Sequence, residues 1–107
     1  MLPIVEQIAS EFKGELQKLY GDELAALVLF GSHARGDYQE ESDIDFAVVL
    51  KNPNTTSTSE ISKVSDLGNN LSIKYGQFVN YIGIPEFKLK QSNFGIYQEI
   101  RKDGITI

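Results

Sequence analysis

The sequence has 107 residues, enough for one domain, and its net charge of −5 argues against non-specific binding to nucleic-acid backbones, which needs clustered Lys and Arg. No cysteine is present, so disulfides, cysteine nucleophiles and thiolate zinc sites are excluded. No apolar run approaches the ~20 residues that a membrane helix needs, and no secretory signal is visible. We therefore expect a single domain, residues 1–107, in the cytoplasm and without a membrane partner.

The first half of the chain predicts one helix and two strands. Residues 3–20 predict an amphipathic helix, with Pro3 in its first turn and Gly21 just beyond its end. Its predicted apolar face consists of Ile4, Ile8, Phe12, Leu16 and Leu19. The continuous apolar run at 24–30 predicts a strand covered on both faces, and residues 43–50 predict the next strand.

The second half predicts a longer helix that ends near Gly76. Ser57 and Glu60 have the spacing of a capping box at its start. Its predicted apolar face consists of Ile61, Val64, Leu67 and Leu71. The remaining predicted elements are a strand over residues 78–84, a short helix over 94–102 and a terminal edge strand over 105–107. Six aromatic residues in this half are predicted to lie mostly in the core, with some covering an interface instead, because so short a domain cannot easily bury all of them: Tyr75, Phe78, Tyr81, Phe87, Phe94 and Tyr97.

Strands that alternate with helices predict an α/β or α+β protein, in which helices flank a small β-sheet. The link between the first two strands is short enough for antiparallel pairing. A mixed sheet is therefore expected rather than a purely parallel one.

Asp43 and Asp45 are the most informative pair of residues. Successive side chains of a strand point to opposite faces, so these two carboxylates share a face, roughly 6.6 Å apart along the chain. Two unpaired carboxylates repel each other, and the pKa of one should rise unless a cation lies between them. Mg²⁺ is a hard cation that accepts a few carboxylate oxygens and completes its shell with water and phosphate, so the pair predicts a magnesium site.

Gly31 and Ser32 follow the first predicted strand and precede a helical turn. Glycine lets the backbone approach a ligand closely, and the first amides of a helical turn have no partners inside the turn. This arrangement favours phosphate binding, to which the Ser32 hydroxyl adds a donor. If the two strands are neighbours, the phosphate cradle and the carboxylate pair face one site.

The run Gly31-Ser32-His33-Ala34-Arg35-Gly36, followed by Ser42-Asp43-Ile44-Asp45, resembles the signature of the DNA polymerase β-type nucleotidyltransferase superfamily. The resemblance is closest to its minimal nucleotidyltransferase branch, which is also similar to the core of kanamycin nucleotidyltransferase. It implies a polymerase β-like fold over residues 1–107 and an enzyme that moves a nucleotidyl group, AMP if the donor is ATP, from a nucleoside triphosphate to a hydroxyl group.

By this resemblance, Gly31 and Ser32 hold the triphosphate, and Asp43 and Asp45 are the catalytic residues that bind two Mg²⁺ ions. Arg35 either contacts the triphosphate or pairs with Asp37 or a motif aspartate to hold the turn. His33 is expected to have an exposed or packing role rather than a catalytic one.

Active relatives supply a third carboxylate from the next strand, where this sequence has Asn80. The amide of Asn80 offers an oxygen to a metal but cannot accept a proton, so the sequence predicts reduced activity. Glu86, just beyond the strand, is a weaker candidate for the missing acid.

The acceptor stays open between a protein, a tRNA and a small-molecule hydroxyl, and nucleic acid is expected only in that role. The alternative to an active enzyme is a nearly inactive, antitoxin-like module that pairs with a helical HEPN-type protein. The resemblance implies this alternative, because minimal nucleotidyltransferases often resemble the antitoxin-like half of such a pair. A homodimer is the alternative to a HEPN-type partner, and a sensor that binds nucleotide is a third possible function.

Overall fold

The computed structural model describes the backbone of residues 1–107 and all side chains except those of Ser57, Thr58 and Ile61. The helices are α1 Pro3–Tyr20, α2 Ser32–Arg35, α3 Ser57–Tyr75, α4 Glu86–Gln91 and α5 Gly95–Asp103, and a 3₁₀ turn spans Gly21–Glu23. The strands are β1 Leu24–Phe30, β2 Ile44–Leu50, β3 Val79–Pro85 and β4 Ile105–Thr106. None of the helices in the described chain has the length and apolar character required to cross a membrane.

The four strands form one sheet in the order β3-β2-β1-β4. β1 pairs antiparallel with β2 and β4. β2 pairs in parallel with β3, because the connection through α3 returns the chain to the end of the sheet at which β2 begins. The predicted mixed sheet with flanking helices is confirmed. The register places Phe30 opposite Asp45 and Asp45 opposite Asn80, so one row crosses three strands.

One face of the sheet is covered by α1 and α3. Alternate residues of β2 point into this core, where Phe46 meets Phe12 edge-on at 5.4 Å between ring centroids. The buried face of α1 is made by Val5, Ile8, Ala9, Phe12 and Leu16. The prediction for Leu19 is wrong, since it is 44% exposed. Tyr20, one full turn beyond Leu16, packs against the core in its place.

The other face of the sheet is covered by α4 and α5. Ile100 of α5 is buried against the face that carries Val28, Ala47 and Val49. The sequence predicts no helix over 86–93, but six residues after Pro85 form α4, which is too short to show a periodic apolar pattern. The prediction that the C-terminal aromatics lie mostly in the core is wrong, since three of the six are exposed: Phe78, Phe87 and Phe94.

The start of α3 also differs from the prediction. Thr56, not Ser57, is the N-cap: its hydroxyl accepts a hydrogen bond from the Ser59 amide at 3.0 Å. The Ser59 hydroxyl in turn accepts from the Thr56 amide at 3.0 Å. The capping box is therefore shifted by one residue, and Glu60 is left for another contact. The prediction for Ile61 falls on a side chain outside the described residues.

Candidate active site

A glycine turn connects β1 to the short helix α2. Gly31 has φ 75°, a conformation that side chains with a Cβ rarely adopt, and Gly36 closes the turn in the left-handed region with φ 87°. A Cβ added to Gly31 would lie 2.5 Å from the Asp45 Oδ2 atom. The turn therefore lies directly against the carboxylate of Asp45, and a glycine is needed to allow that approach. Ser32 is the half-buried first residue of α2.

The side chains of Asp43, Asp45 and Asn80 meet at one end of the sheet. The Asn80 Nδ2 atom donates to Asp43 Oδ2 at 2.9 Å and to Asp45 Oδ1 at 3.5 Å. The two aspartates come from the start of β2, and Asn80 comes from the parallel neighbour in the matching register. The structure thus brings together the carboxylate pair, the glycine turn and the asparagine that the sequence singled out.

The pKa of Asp45 is raised above its ordinary range. Burial of this half-buried carboxyl is the main cause, and the negative charge of Asp43 adds to it. The hydrogen bond from Asn80 and the nearby His33 act in the opposite direction. Two neighbouring carboxylates, one of them half-buried, favour a cation between them.

His33 is buried and packs within the loop that leads to the aspartates. Its ring stacks on Tyr38 with 4.7 Å between centroids. Its Nε2 atom donates to the Ser42 carbonyl oxygen at 3.1 Å, which fixes the residue just before Asp43. The expected packing role of His33 therefore agrees with its placement, and the exposed alternative does not.

Arg35, at the end of α2, pairs with two carboxylates. Its Nε atom lies 3.1 Å from Asp37 Oδ2, and its Nη1 atom lies 2.9 Å from Glu99 Oε1. The sequence left open whether Arg35 holds the turn or binds the triphosphate, and Asp37 was one of its expected partners. Glu99 was missed, because α5 is 64 residues away in the chain and no local motif connects the two positions.

Glu86 cannot substitute for the missing third acid. It begins α4 at the far end of β3 from Asn80, roughly 20 Å along the strand at the usual rise per residue. There it pairs with Lys90 at 3.7 Å. The weaker candidate for the third carboxylate is thus wrong.

The donors at the carboxylate end of the sheet fit a hard cation. Among the described residues, no three His, Cys, Asp or Glu side chains are grouped to hold a metal ion. Two carboxylates and an amide are grouped instead, and a half-turn of the Asn80 amide would present its oxygen in place of its nitrogen. Three such oxygens suit Mg²⁺, which keeps several waters and takes phosphate oxygens as its other ligands.

A family model of the nucleotidyltransferase domain matches residues 9–104. This chain belongs to the nucleotidyltransferase domain family. The nucleotidyltransferase is also 37% identical over 101 residues to a Methanocaldococcus jannaschii protein provisionally named a protein adenylyltransferase. That alignment covers 94% of this chain and 96% of the relative. The resemblance that rested on the glycine turn and the paired aspartates is confirmed.

Solved structures share the fold of this nucleotidyltransferase. A Sulfolobus solfataricus protein, provisionally named a nucleotidyltransferase, matches with a TM-score of 0.60 and 25% identity, over 99% of this chain and 78% of that one. A chain from the complex of a tri-AMPylated Shewanella oneidensis HEPN toxin with its MNT antitoxin matches with a TM-score of 0.52 and 18% identity, over 92% and 70%. The second likeness concerns the fold alone.

Proposed function

We propose that this nucleotidyltransferase transfers AMP from ATP, in complex with Mg²⁺, to a hydroxyl group of an acceptor protein. The observation that carries the proposal is the meeting of Asp43, Asp45 and Asn80 against the Gly31 turn. The provisional name of the Methanocaldococcus jannaschii relative supports a protein acceptor and adenylyl transfer.

Each part of the site has a role in this reaction. Asp43 and Asp45 would hold two Mg²⁺ ions, which supply charge neutralisation on the phosphates and polarise the attacking hydroxyl. Gly31 leaves room beside Asp45, and the turn that starts with Ser32 receives the triphosphate oxygens. The acceptor oxygen forms a bond to the α-phosphorus, the bond from that phosphorus to the bridging oxygen breaks, and pyrophosphate leaves with the electron pair.

The proton of the acceptor hydroxyl has no carboxylate to receive it at the third position, because Asn80 is an amide. We propose that this proton passes to solvent water, which reaches the exposed Asn80 and Asp43 side chains. Loss of a positioned base reduces a rate by a factor of about 10² to 10⁴, so turnover should be slow.

A transfer assay with α-labelled ATP tests the proposal. The acceptors are the chain itself and a helical HEPN-type protein, and calorimetry of ATP binding in magnesium buffer is run in parallel. Asp43→Ala should abolish label transfer and weaken ATP binding. Asp22→Ala removes an exposed carboxylate beside the opposite end of β1 and should change neither. Transfer that survives Asp43→Ala, or no ATP uptake by the unmodified protein, would contradict the assignment.

A second candidate function is an antitoxin-like partner module that binds a HEPN-type protein and transfers little. One observation favours it: a groove of about 400 Å³ lies on α4 and α5, lined by Phe87, Phe94 and Tyr97 among others. Phe94 is 78% exposed, which suits a protein contact better than a surface in water. The Shewanella oneidensis complex supports this kind of partner.

Two matched variants separate this function from the first. Phe94→Ser should weaken association with a HEPN-type protein. Phe78→Ser is the matched control, because Phe78 is 74% exposed and lies outside the groove, and it should leave this association unchanged. Tight association without label transfer favours the partner module. Self-association that Phe94→Ser disrupts would assign the groove to a homodimer instead.

A further inference from the structure

Arg35 is held between two acidic side chains beside the glycine turn. Asp37 binds its Nε atom and Glu99 binds its Nη1 atom, at 3.1 and 2.9 Å. All three side chains are at least one-third exposed, so neither pair is locked inside the core. The guanidinium can therefore change partners without opening the fold.

Glu99 lies on the same face of the sheet as the catalytic candidates. The next residue, Ile100, is buried with Val28 of β1 on the face from which Asp45 projects. Two residues beyond Val28, Phe30 pairs with Asp45. The charge of Glu99 is also among the contributions that raise the pKa of Asp45, although burial of Asp45 is the largest. Glu99 thus borders the site on the side of the glycine turn, opposite Asn80.

We propose that Glu99 competes with the triphosphate for Arg35 and so controls how tightly nucleotide and pyrophosphate are held. The inference rests on the proposed function, because it needs a triphosphate at the Gly31 turn. Without nucleotide, Glu99 holds the guanidinium at the edge of the site. When the triphosphate binds, its oxygens replace Glu99, and when pyrophosphate leaves, Glu99 takes Arg35 back.

The arrangement of charges supports an exchange rather than a fixed clamp. Phosphate oxygens form charge-assisted bonds with a guanidinium that match those of a carboxylate. Asp37 binds a different nitrogen of Arg35, so the side chain stays anchored while Nη1 is released. Glu99 acts through Arg35 and is therefore a positioning residue.

The test is the affinity of Glu99→Gln for ATP and for pyrophosphate, measured by calorimetry in magnesium buffer. We expect both ligands to bind about two- to fivefold more tightly, the range that an exposed ion pair supports. Glu86→Gln is the matched control, because it removes the same charge and also breaks an ion pair. Glu86 has the same 38% side-chain exposure as Glu99 but lies at the far end of β3. It should leave both affinities unchanged.

The same measurement in an Arg35→Gln background decides whether Arg35 carries the effect. There, Glu99→Gln should have no influence on either ligand. Tightening that persists without Arg35 would show direct charge repulsion and overturn the proposal, as would unchanged or weaker binding by Glu99→Gln alone. Thermal unfolding of each variant establishes that the proteins compared are folded at the assay temperature. If the unmodified protein binds no ATP, the proposed function itself fails, whereas ATP binding that Glu99→Gln leaves unchanged removes only this inference.

Discussion

Asn80 is the residue that most affects what this site can do. It donates to both aspartates, and in that position it compensates part of their mutual repulsion without adding a charge. An aspartate there would create a third negative charge, which raises the pKa of the neighbouring carboxyl groups unless cations bind between them. An amide at this position therefore bonds both carboxylates without adding a third negative charge.

Asn80→Asp should increase magnesium affinity and raise label transfer by about tenfold or more, because it supplies both a third anionic ligand and a proton acceptor. The measurements are magnesium titration of ATP binding and initial transfer rates. Asn80→Ala provides the comparison, since it removes the amide without adding charge and should lower magnesium affinity. If Asn80→Asp changes neither quantity, Asn80 is not the third ligand.

Gly31 determines how close the turn comes to Asp45. Gly31→Ala places a methyl group 2.5 Å from Asp45 Oδ2 at a φ of 75°, so we expect it to abolish ATP binding and to destabilise the protein by about 1–3 kcal/mol. Gly14→Ala is the control, since a Cβ there meets no atom within 4 Å in the interior of α1. It should stabilise by up to about 1 kcal/mol. Urea denaturation measures the change in the free energy of unfolding, and calorimetry measures the loss of ATP binding.

At the scale of elements, α1 and α3 are linked by a polar contact next to their shared core. The Tyr20 hydroxyl donates to Glu60 Oε1 at 2.8 Å, and Ser59 donates to the other carboxylate oxygen at 2.8 Å. Burial pushes the pKa of Glu60 upward, but these hydrogen bonds and the nearby Lys63 outweigh it and leave the pKa lowered. The same Glu60 contact raises the pKa of Tyr20, although burial of the phenol contributes most.

This link gives a pH-dependent prediction. Because the pKa of Glu60 is lower in the folded state than its ordinary value of 4.5, its stabilising effect is present above that value and is lost as the pH falls through the lower one. Tyr20→Phe should cost about 1 kcal/mol at pH 7. The difference from the unmodified protein should shrink below pH 4.5, as measured by urea denaturation across pH. A difference that is constant down to acid pH would show that the carboxylate charge is not involved.

At the scale of the whole molecule, helices cover both faces of one sheet, and β2 connects the two cores to the site. Its residues alternate between the faces, with Phe46 in the core under α1 and α3 and Asp45 on the opposite face. The folding of the sheet therefore positions the carboxylate. Not every large side chain contributes to this core, as Phe94 shows by its 78% exposure.

The same substitution at two phenylalanines tests this distribution. Phe46→Ala, at a residue with no exposed surface, should cost about 3–5 kcal/mol and abolish ATP binding through loss of the neighbouring aspartate geometry. Phe94→Ala should change the free energy of unfolding by less than about 0.5 kcal/mol. Urea denaturation of both variants gives the comparison. Similar losses at the two positions would show that α4 and α5 depend on Phe94 for packing.

The sequence by itself determined the long elements and predicted which residues form the candidate site. The apolar runs and the helical spacing defined α1, β1 and β2 closely, because their patterns repeat over several turns or residues. The glycine turn and the paired aspartates lie within 15 residues of each other, so their chemistry could be read locally.

Only the tertiary structure decided which distant residues meet. Glu99 reaches Arg35 across 64 residues, and Tyr20 meets Glu60 across 40. The length of α4 and the exposure of Phe94 likewise depend on how much of the sheet the last two helices cover. The spacing of residues within a segment predicts the conformation of that segment. These contacts depend instead on how whole helices and strands pack together, and no single segment of the sequence contains that information.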